Sequence, residues 1–197
     1  MKIIEPVVEI EKVDYERIMK NLERACRTCY RSEDKITDES YKTLLKNCIN
    51  RGHESVLEHE KITIRMICDI GVYKDLTRHR IASFSIESTR YCNYSRGKFD
   101  GELVFIKPCF WEEESINYNI WKHTMEMCET AYLDMIRNGA TAQEARSVLP
   151  NSLKTEIVMT MNMREWRHFF KLRTSKRAHP QMREITIPLL KAMKEVV

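Results

Sequence analysis

Apolar residues near the start of the chain recur at helical spacing. Ile18, Leu22, Ala25, Cys26 and Cys29 share one face of a segment that Asp14 can cap, which predicts a helix running to Tyr30. A second predicted helix opens at Thr37 or Asp38, turns Leu44, Leu45 and Cys48 inward, and stops before Gly52, where a left-handed backbone is often needed. The period then changes. Ile62, Ile64, Met66, Cys68 and Ile70 alternate with Thr63, Arg65, Ile67 and Asp69, the two-residue repeat of a strand with one buried face. Gly71 breaks that run, and Val72 to His79 is expected to form a short helix that ends on Arg78-His79-Arg80. A long polar loop then leads to a second strand, Glu102 to Ile106, stopped by Pro108.

Ser115 to Asn138 predicts the longest helix, with Ile116, Ile120, Met127, Ala131 and Met135 as its apolar positions and Gly139 as its stop. Thr141 and Glu144 form a capping box for a short helix ended by Pro150. Thr155, Ile157, Met159 and Met161 alternate as a strand that feeds into a helix, with Asn162 as cap and Glu165 as its third-position partner. Pro180 opens a final helix that Pro188 should kink or interrupt. The order of elements implies an α/β (α+β) chain, a mixed and mainly antiparallel sheet flanked by helices, in one domain over residues 1–197.

Composition narrows the class. With 43% hydrophobic and 31% charged residues, five Gly and five Pro, the chain is neither collagen-like nor disordered. A net charge of +4, from 33 basic and 29 acidic residues, is too mild to imply a polyanion partner, so any basic site must be local. No apolar run approaches the ~18 residues needed to span a bilayer, and Met1 to Ile10 lacks a signal-peptide pattern. These features lead us to expect a cytoplasmic protein that is not in a membrane. The seven cysteines are scattered and odd in number, which argues for reduced thiols, with Cys26 and Cys29 as buried core residues and not a zinc or redox pair.

Three constellations carry candidate chemistry. Arg78 to Tyr91 packs three Arg, one His, four hydroxyl side chains and two aromatics into fourteen residues. Arginine forks and hydroxyls suit phosphate oxygens; a solvated basic loop is the bland alternative. In Asn162 to Arg173, helical geometry puts Asn162, Trp166, Phe169 and Arg173 on one side and Arg164, His168 and Lys171 roughly opposite. That pattern fits two ligand-facing stripes or an ordinary amphipathic helix. His53-Glu54-Ser55-Val56-Leu57-Glu58-His59 invites a metal reading, but its spacing is not that of a helical zinc site, and no metal is expected.

Taken together the segments resemble the flavin-dependent thymidylate synthases. Arg78-His79-Arg80, seven residues, then Ser88 matches the family's R-H-R-x7-S signature, and Arg90-Tyr91 extends it. The His53 to His59 segment is similar to H-E-(S/T)-x-x-E-H, Ala145 to Pro150 to A-R-x-x-L-P, and Asn162 to Arg173 to N-x-R followed by F-x-x-L-R. The resemblance spans about residues 50 to 185. It implies methylation of dUMP to dTMP, with FAD as cofactor, methylenetetrahydrofolate as one-carbon donor and NADPH as reductant. A homotetramer whose subunits share each active site is implied as well.

On that resemblance Arg173 is the catalytic group, polarising the pyrimidine by charge, since a guanidinium is no base in the usual pH range. Ser55, Arg78, His79, Arg80, Asn162, Arg164 and His168 would surround FAD. Asp75, Glu87, Ser88, Arg90 and Arg146 would join Arg173 around dUMP, and His53 would lie at the folate or nicotinamide face. Ser88 is assigned to ligand hydrogen bonding, because no general base is placed beside it. The chain departs from the family where Ser85-Ile86 replaces Asn-Glu, where Asp75 replaces Gln, at His168, and at Arg177-Ala178-His179. Two rival readings remain open at this point: a nucleic-acid binder using Arg164, Arg167, Lys171, Arg173, Lys176 and Arg177 as a phosphate-tracking stripe, and a relative that binds nucleotide without catalysis.

Overall fold

The computed structural model describes residues 1–196, apart from the side chains of Lys98 and Val196. Its centre is a long antiparallel ladder. Strand β3 (Lys61–Asp69) pairs with β6 (Lys154–Asn162) over nine residues, from Lys61 opposite Asn162 to Asp69 opposite Lys154. The two-residue repeat of each strand sends Ile62, Ile64, Met66 and Cys68 to the same face as Met161, Met159, Ile157 and Thr155, and all eight are buried. On the opposite face the Thr63 and Thr160 hydroxyls bond at 2.8 Å and Arg65 Nη1 donates to Glu156 at 2.9 Å. A slip of one residue would exchange these faces, so burial fixes the register.

Strands β2 (Val7–Ile10) and β4 (Ala82–Ile86) complete a four-stranded sheet in the order β2-β3-β6-β4. A separate two-stranded parallel sheet joins β1 (Lys2–Ile4) to β5 (Val104–Ile106). The expectation of a mixed, mainly antiparallel sheet with flanking helices holds, divided between two sheets. Against the main sheet pack α1 (Tyr15–Thr28), α2 (Ser40–Asn50), α6 (Met163–Arg173) and α7 (Pro180–Val196). A second cluster, including Phe105, Trp121, Tyr132 and Leu153, holds α4 (Ile116–Arg137) and α5 (Ala142–Ala145) against β5 and the start of β6.

Start signals hold where a side chain can satisfy an orphan amide. The Asp14, Ser115 and Asn162 side chains accept from the amides of Arg17, Tyr118 and Glu165, and Glu144 accepts from both the amide and the hydroxyl of Thr141. Gly52 and Gly139 follow α2 and α4 with φ of 74° and 93°, values that a side chain would strain.

Several expectations need correction. Strands β1 and β2 were not anticipated, and β4 lies inside the stretch read as a polar loop: Ala82, Phe84 and Ile86 pack on the core while Ser83 and Ser85 face out. Helix α3 (Ile70–Leu76) begins before Gly71, because the Asp69 carboxylate caps it through the Val72 amide at 2.6 Å. In α4 the buried face is Tyr118, Trp121, Met125 and Tyr132, whereas Ile116, Ile120 and Met127 are 78%, 60% and 60% exposed. Large aromatic surfaces outweigh aliphatic ones there, and Trp121 Nε1 finds the Ser152 hydroxyl at 3.0 Å. Cys29 is exposed, while Cys26 Sγ lies 3.0 Å from Cys48 Sγ on α2, and burial pushes the Cys26 thiol up to about 12. Pro188 lies inside α7, which runs on past it without interruption.

Trp166 locks α6 to the ladder: it is 1% exposed, stacks on Phe170 and donates to the Ile62 carbonyl at 3.1 Å. Trp166→Ala is expected to destabilise the chain by about 3–5 kcal/mol through the cavity left behind, read as a lower urea midpoint with an unchanged slope.

Candidate active site

Helix α6 starts because β6 ends on Asn162, whose side-chain oxygen accepts from Glu165 N at 2.8 Å. The sequence then turns Trp166, Phe169 and Phe170 into the core, which forces Arg164, Arg167, His168 and Lys171 outward. These outward groups, with Asn162, Ile81, Glu54 and Glu58, line an open basin of about 590 Å³. Glu54 and Glu58 come from a 3-10 turn (Glu54–His59) packed beside the helix. Arg164 pairs with Glu58, and Arg167 Nη2 with Glu54 at 3.1 Å. A second open hollow, of about 700 Å³, lies along α1 near Arg17, Lys20 and Ile36 and holds none of the candidate groups.

Below the basin two distant segments meet. After α3, the amides of Arg78 and His79 donate to the carbonyls of Asp75 and Leu76, a turn that buries His79 and leaves Arg78 and Arg80 exposed. The His79 ring is 5% exposed and stands edge-on to Phe169, with 4.9 Å between ring centroids. Its Nδ1 lies 2.8 Å from Glu165 Oε1, and its Nε2 accepts from Arg173 Nε at 3.0 Å. Arg173 Nη2 donates to the Asp75 carbonyl at 2.7 Å. Glu165, expected to fold back on its own helix terminus, is therefore spent on His79. Asp75 meets Arg173 through its backbone.

The remaining candidates are spread over neighbouring elements. Ile86 packs on the core beside Phe84, so no carboxylate stands there. Glu87 is committed within the chain: Lys154 Nζ donates to it at 2.6 Å and the Tyr94 hydroxyl at 2.8 Å. Burial, with the Glu87 carboxylate adding to it, pushes the Tyr94 phenol well above its usual range. Ser88 opens a turn in which its hydroxyl accepts from Arg90 N at 3.3 Å. Arg90 Nε donates to Gln143 on α5 at 3.2 Å, and Gln143 lies one turn before Arg146. No direct hydrogen bond among the described residues joins this Arg90 group to Arg173. Among the described residues, no carboxylate pairs with Arg78, Arg80, Arg90 or Arg146. His53 and Ser55 are exposed at the start of the 3-10 turn, and His179 meets the Phe110 ring edge-on at 5.7 Å.

Sequence reasoning missed the partners: Glu165 for His79, Glu54 for Arg167, Gln143 for Arg90. The spacing of Asn162 and Glu165 did flag that glutamate, though for a cap. His79, Glu165 and His168 offer ligand atoms within 4.8 Å of one another, close enough to suggest a metal triad. The hydrogen bonds argue otherwise: with Nε2 accepting from a guanidinium, the imidazole has no lone pair free for a cation. A phosphate-tracking stripe is also broken, since Arg173 is turned inward onto His79 and the Asp75 carbonyl.

Residues 13–197 match the family described as thymidylate synthase complementing protein. The chain belongs to this family. It is 34% identical over 163 residues to a flavin-dependent thymidylate synthase of Pyrococcus furiosus, covering 82% of this chain and 66% of that protein. Another, from Geobacter sulfurreducens, is 35% identical over 180 residues, covering 87% and 75%. A solved structure, the UMP/dUMP methylase PolB of Streptomyces cacaoi bound with 5-Br dUMP, shares the fold with a TM-score of 0.78 at 22% identity, over 100% of this chain and 93% of that one. No helix among the described residues is long and apolar enough to cross a membrane.

In this family member His79 is held below the usual histidine range, first by burial and then by the nearby Arg173 and His168 charges, with Glu165 opposing them. The unfolded chain therefore binds the proton more readily than the folded one, and stability is lost as pH falls below about 6.5. Urea midpoints taken between pH 8 and pH 5 should show this slope, and His79→Gln should flatten it.

Proposed function

We propose that the chain, acting as one domain over residues 1–197 and as a cytoplasmic homotetramer, methylates dUMP at C5 to give dTMP, with methylenetetrahydrofolate as one-carbon donor and NADPH as reductant. The observation that carries this reading is Arg173, a cation locked at two of its edges beside the Arg78-His79-Arg80 segment. Family membership and the dUMP analogue in the PolB structure support the substrate.

The basin fits a flavin dinucleotide. Arg164, Arg167 and Lys171 offer cations to a diphosphate, Asn162 and Ser55 offer hydrogen-bonding groups, and Ile81, 67% exposed, offers apolar surface. Arg78, Arg80 and His168 complete the set that would hold it, while His79, expected in that set, is buried with both ring nitrogens engaged by Glu165 and Arg173. FAD, when bound, supplies the two-electron redox chemistry that the protein's own side chains lack.

Uracil C5 is a weak nucleophile, and it becomes a better one in the ionised pyrimidine, which carries negative charge on N3 and its neighbouring carbonyls until C5 attacks. Arg173 stabilises that charge without proton transfer, because a guanidinium stays protonated at working pH. Two of its five N–H groups are spent on His79 and Asp75, which leaves three for the pyrimidine. Arg90 and Arg146 neutralise the nucleotide phosphate, and the Ser88 hydroxyl adds a hydrogen bond. Asp75 would position Arg173 through its carbonyl, Glu87 is assigned to the nucleotide side together with the Lys154 and Tyr94 groups that bind it, and His53 to the folate or nicotinamide face. The exposed Ile116, Ile120 and Met127 stripe supports self-association, since a second copy would remove it from water.

The test is tritium release from C5-labelled dUMP by the purified protein, expected to require FAD, NADPH and methylenetetrahydrofolate. Arg173→Ala should keep the fold and the flavin absorbance while losing turnover by about 100-fold or more. Undiminished turnover in that variant refutes the role given to Arg173, and a flavin-free, inactive protein refutes the reaction.

A further inference from the structure

We propose that Glu165 is a positioning residue for Arg173 and acts through the His79 imidazole, which it holds in the one tautomer able to receive the guanidinium. The inference rests on the role given to Arg173 above. It starts from a constraint on donors. A guanidinium has no acceptor, so the 3.0 Å contact from Arg173 Nε requires a lone pair on His79 Nε2. A neutral imidazole with that lone pair carries its proton on Nδ1, and Nδ1 faces Glu165 Oε1 at 2.8 Å. The chain therefore reads in one direction, from Arg173 through His79 to Glu165.

Burial makes this choice of tautomer matter. His79 is 5% exposed, so water does not readily take the place of a lost partner at the ring, while Glu165, 9% exposed, borders the basin. Without an acceptor at Nδ1 the ring is free to carry its proton on Nε2. Two N–H groups would then point at each other across 3.0 Å, and Arg173 would keep only its bond to the Asp75 carbonyl. Protonating His79 has the same effect. The charged and titratable groups facing the ring are Glu165, His168 and Arg173, all from α6, and the carboxylate is the one that favours the protonated form. From α3 comes the Asp75 carbonyl, bound to Arg173. The arrangement parallels the outer-sphere carboxylates that fix histidine tautomers in metal sites, with a guanidinium in place of the metal.

Two variants separate the hydrogen bond from the charge. Glu165→Leu removes the acceptor; Glu165→Gln keeps a carbonyl oxygen for Nδ1–H and removes the charge. In the ligand-free protein, nitrogen-15 spectra of the histidine rings should show His79 protonated at Nδ1 in the parent and in Glu165→Gln, and should lose that pattern in Glu165→Leu. With C5-labelled dUMP, Glu165→Leu should lower kcat by about 10- to 100-fold with KM for dUMP little changed, and Glu165→Gln should restore most of that loss. The acid limb of the Glu165→Gln rate profile should move to lower pH, because the charge that favours protonated His79 is gone. An unchanged Nδ1 tautomer in a folded Glu165→Leu protein overturns the proposal, whatever the turnover. Should Glu165→Leu not fold, a Glu165→Gln profile with an unmoved acid limb overturns it too. Active Arg173→Ala would refute the reading of Arg173 while the ring spectra still decide the role of Glu165.

Discussion

A guanidinium can donate hydrogen bonds and cannot accept them, and the centre of this molecule is arranged around that asymmetry. Arg173 needs acceptors on its inner edges, and it finds a backbone carbonyl in Asp75 and an imidazole nitrogen in His79. The imidazole in turn needs an acceptor for its other nitrogen, and Glu165 provides it. Carboxylate, neutral ring and cation thus form a line with one negative and one positive end. Each inner group is satisfied, a condition that buried polar networks must meet to be stable at all.

The sheet brings those three residues together. Glu165 and Arg173 lie eight residues apart on α6, and His79 lies far from both in the sequence, just before the edge strand β4. β4 pairs with β6, and β6 runs without a break into α6, so the ladder carries the end of α3 to the buried side of that helix. Trp166 and Phe169 set the rotation of the helix by filling the core. Had the helix turned by one residue, Glu165 and Arg173 would face water and His79 would be buried with no partner.

Much of this was legible in the chain. The alternations at Ile62 to Cys68 and Thr155 to Met161 located the two central strands, because their buried faces are pure and their period is strict. Caps at Asp14 and Asn162 marked helix starts, because an orphan amide and a side-chain oxygen three residues apart leave little freedom. β4 was hidden because its outward positions are serines and its chemistry drew attention to the loop reading; the alternation of Ala82, Phe84 and Ile86 with Ser83 and Ser85 was there to be counted. α4 misled for the opposite reason, since its apolar residues occupy two faces and only packing decides which is inner. The motifs named the candidate residues. They carried no information on pairing, so Glu165, Gln143 and Glu54 emerged only when distant segments were brought together.

In the basin above this network two of the three cations are paired before any ligand arrives, Arg164 with Glu58 and Arg167 with Glu54. Both pairs are substantially exposed, and exposed pairs are worth little, roughly 0–1 kcal/mol each. On the proposed reading, an incoming diphosphate would compete with weakly held carboxylates and gain charge-assisted bonds of its own. The inner network is of another kind: Arg173 is tied to buried partners that would be left unsatisfied if it moved. The outer cations would be free to follow a ligand, whereas Arg173 is fixed, and the role proposed for it calls for a charge that does not have to reorganise.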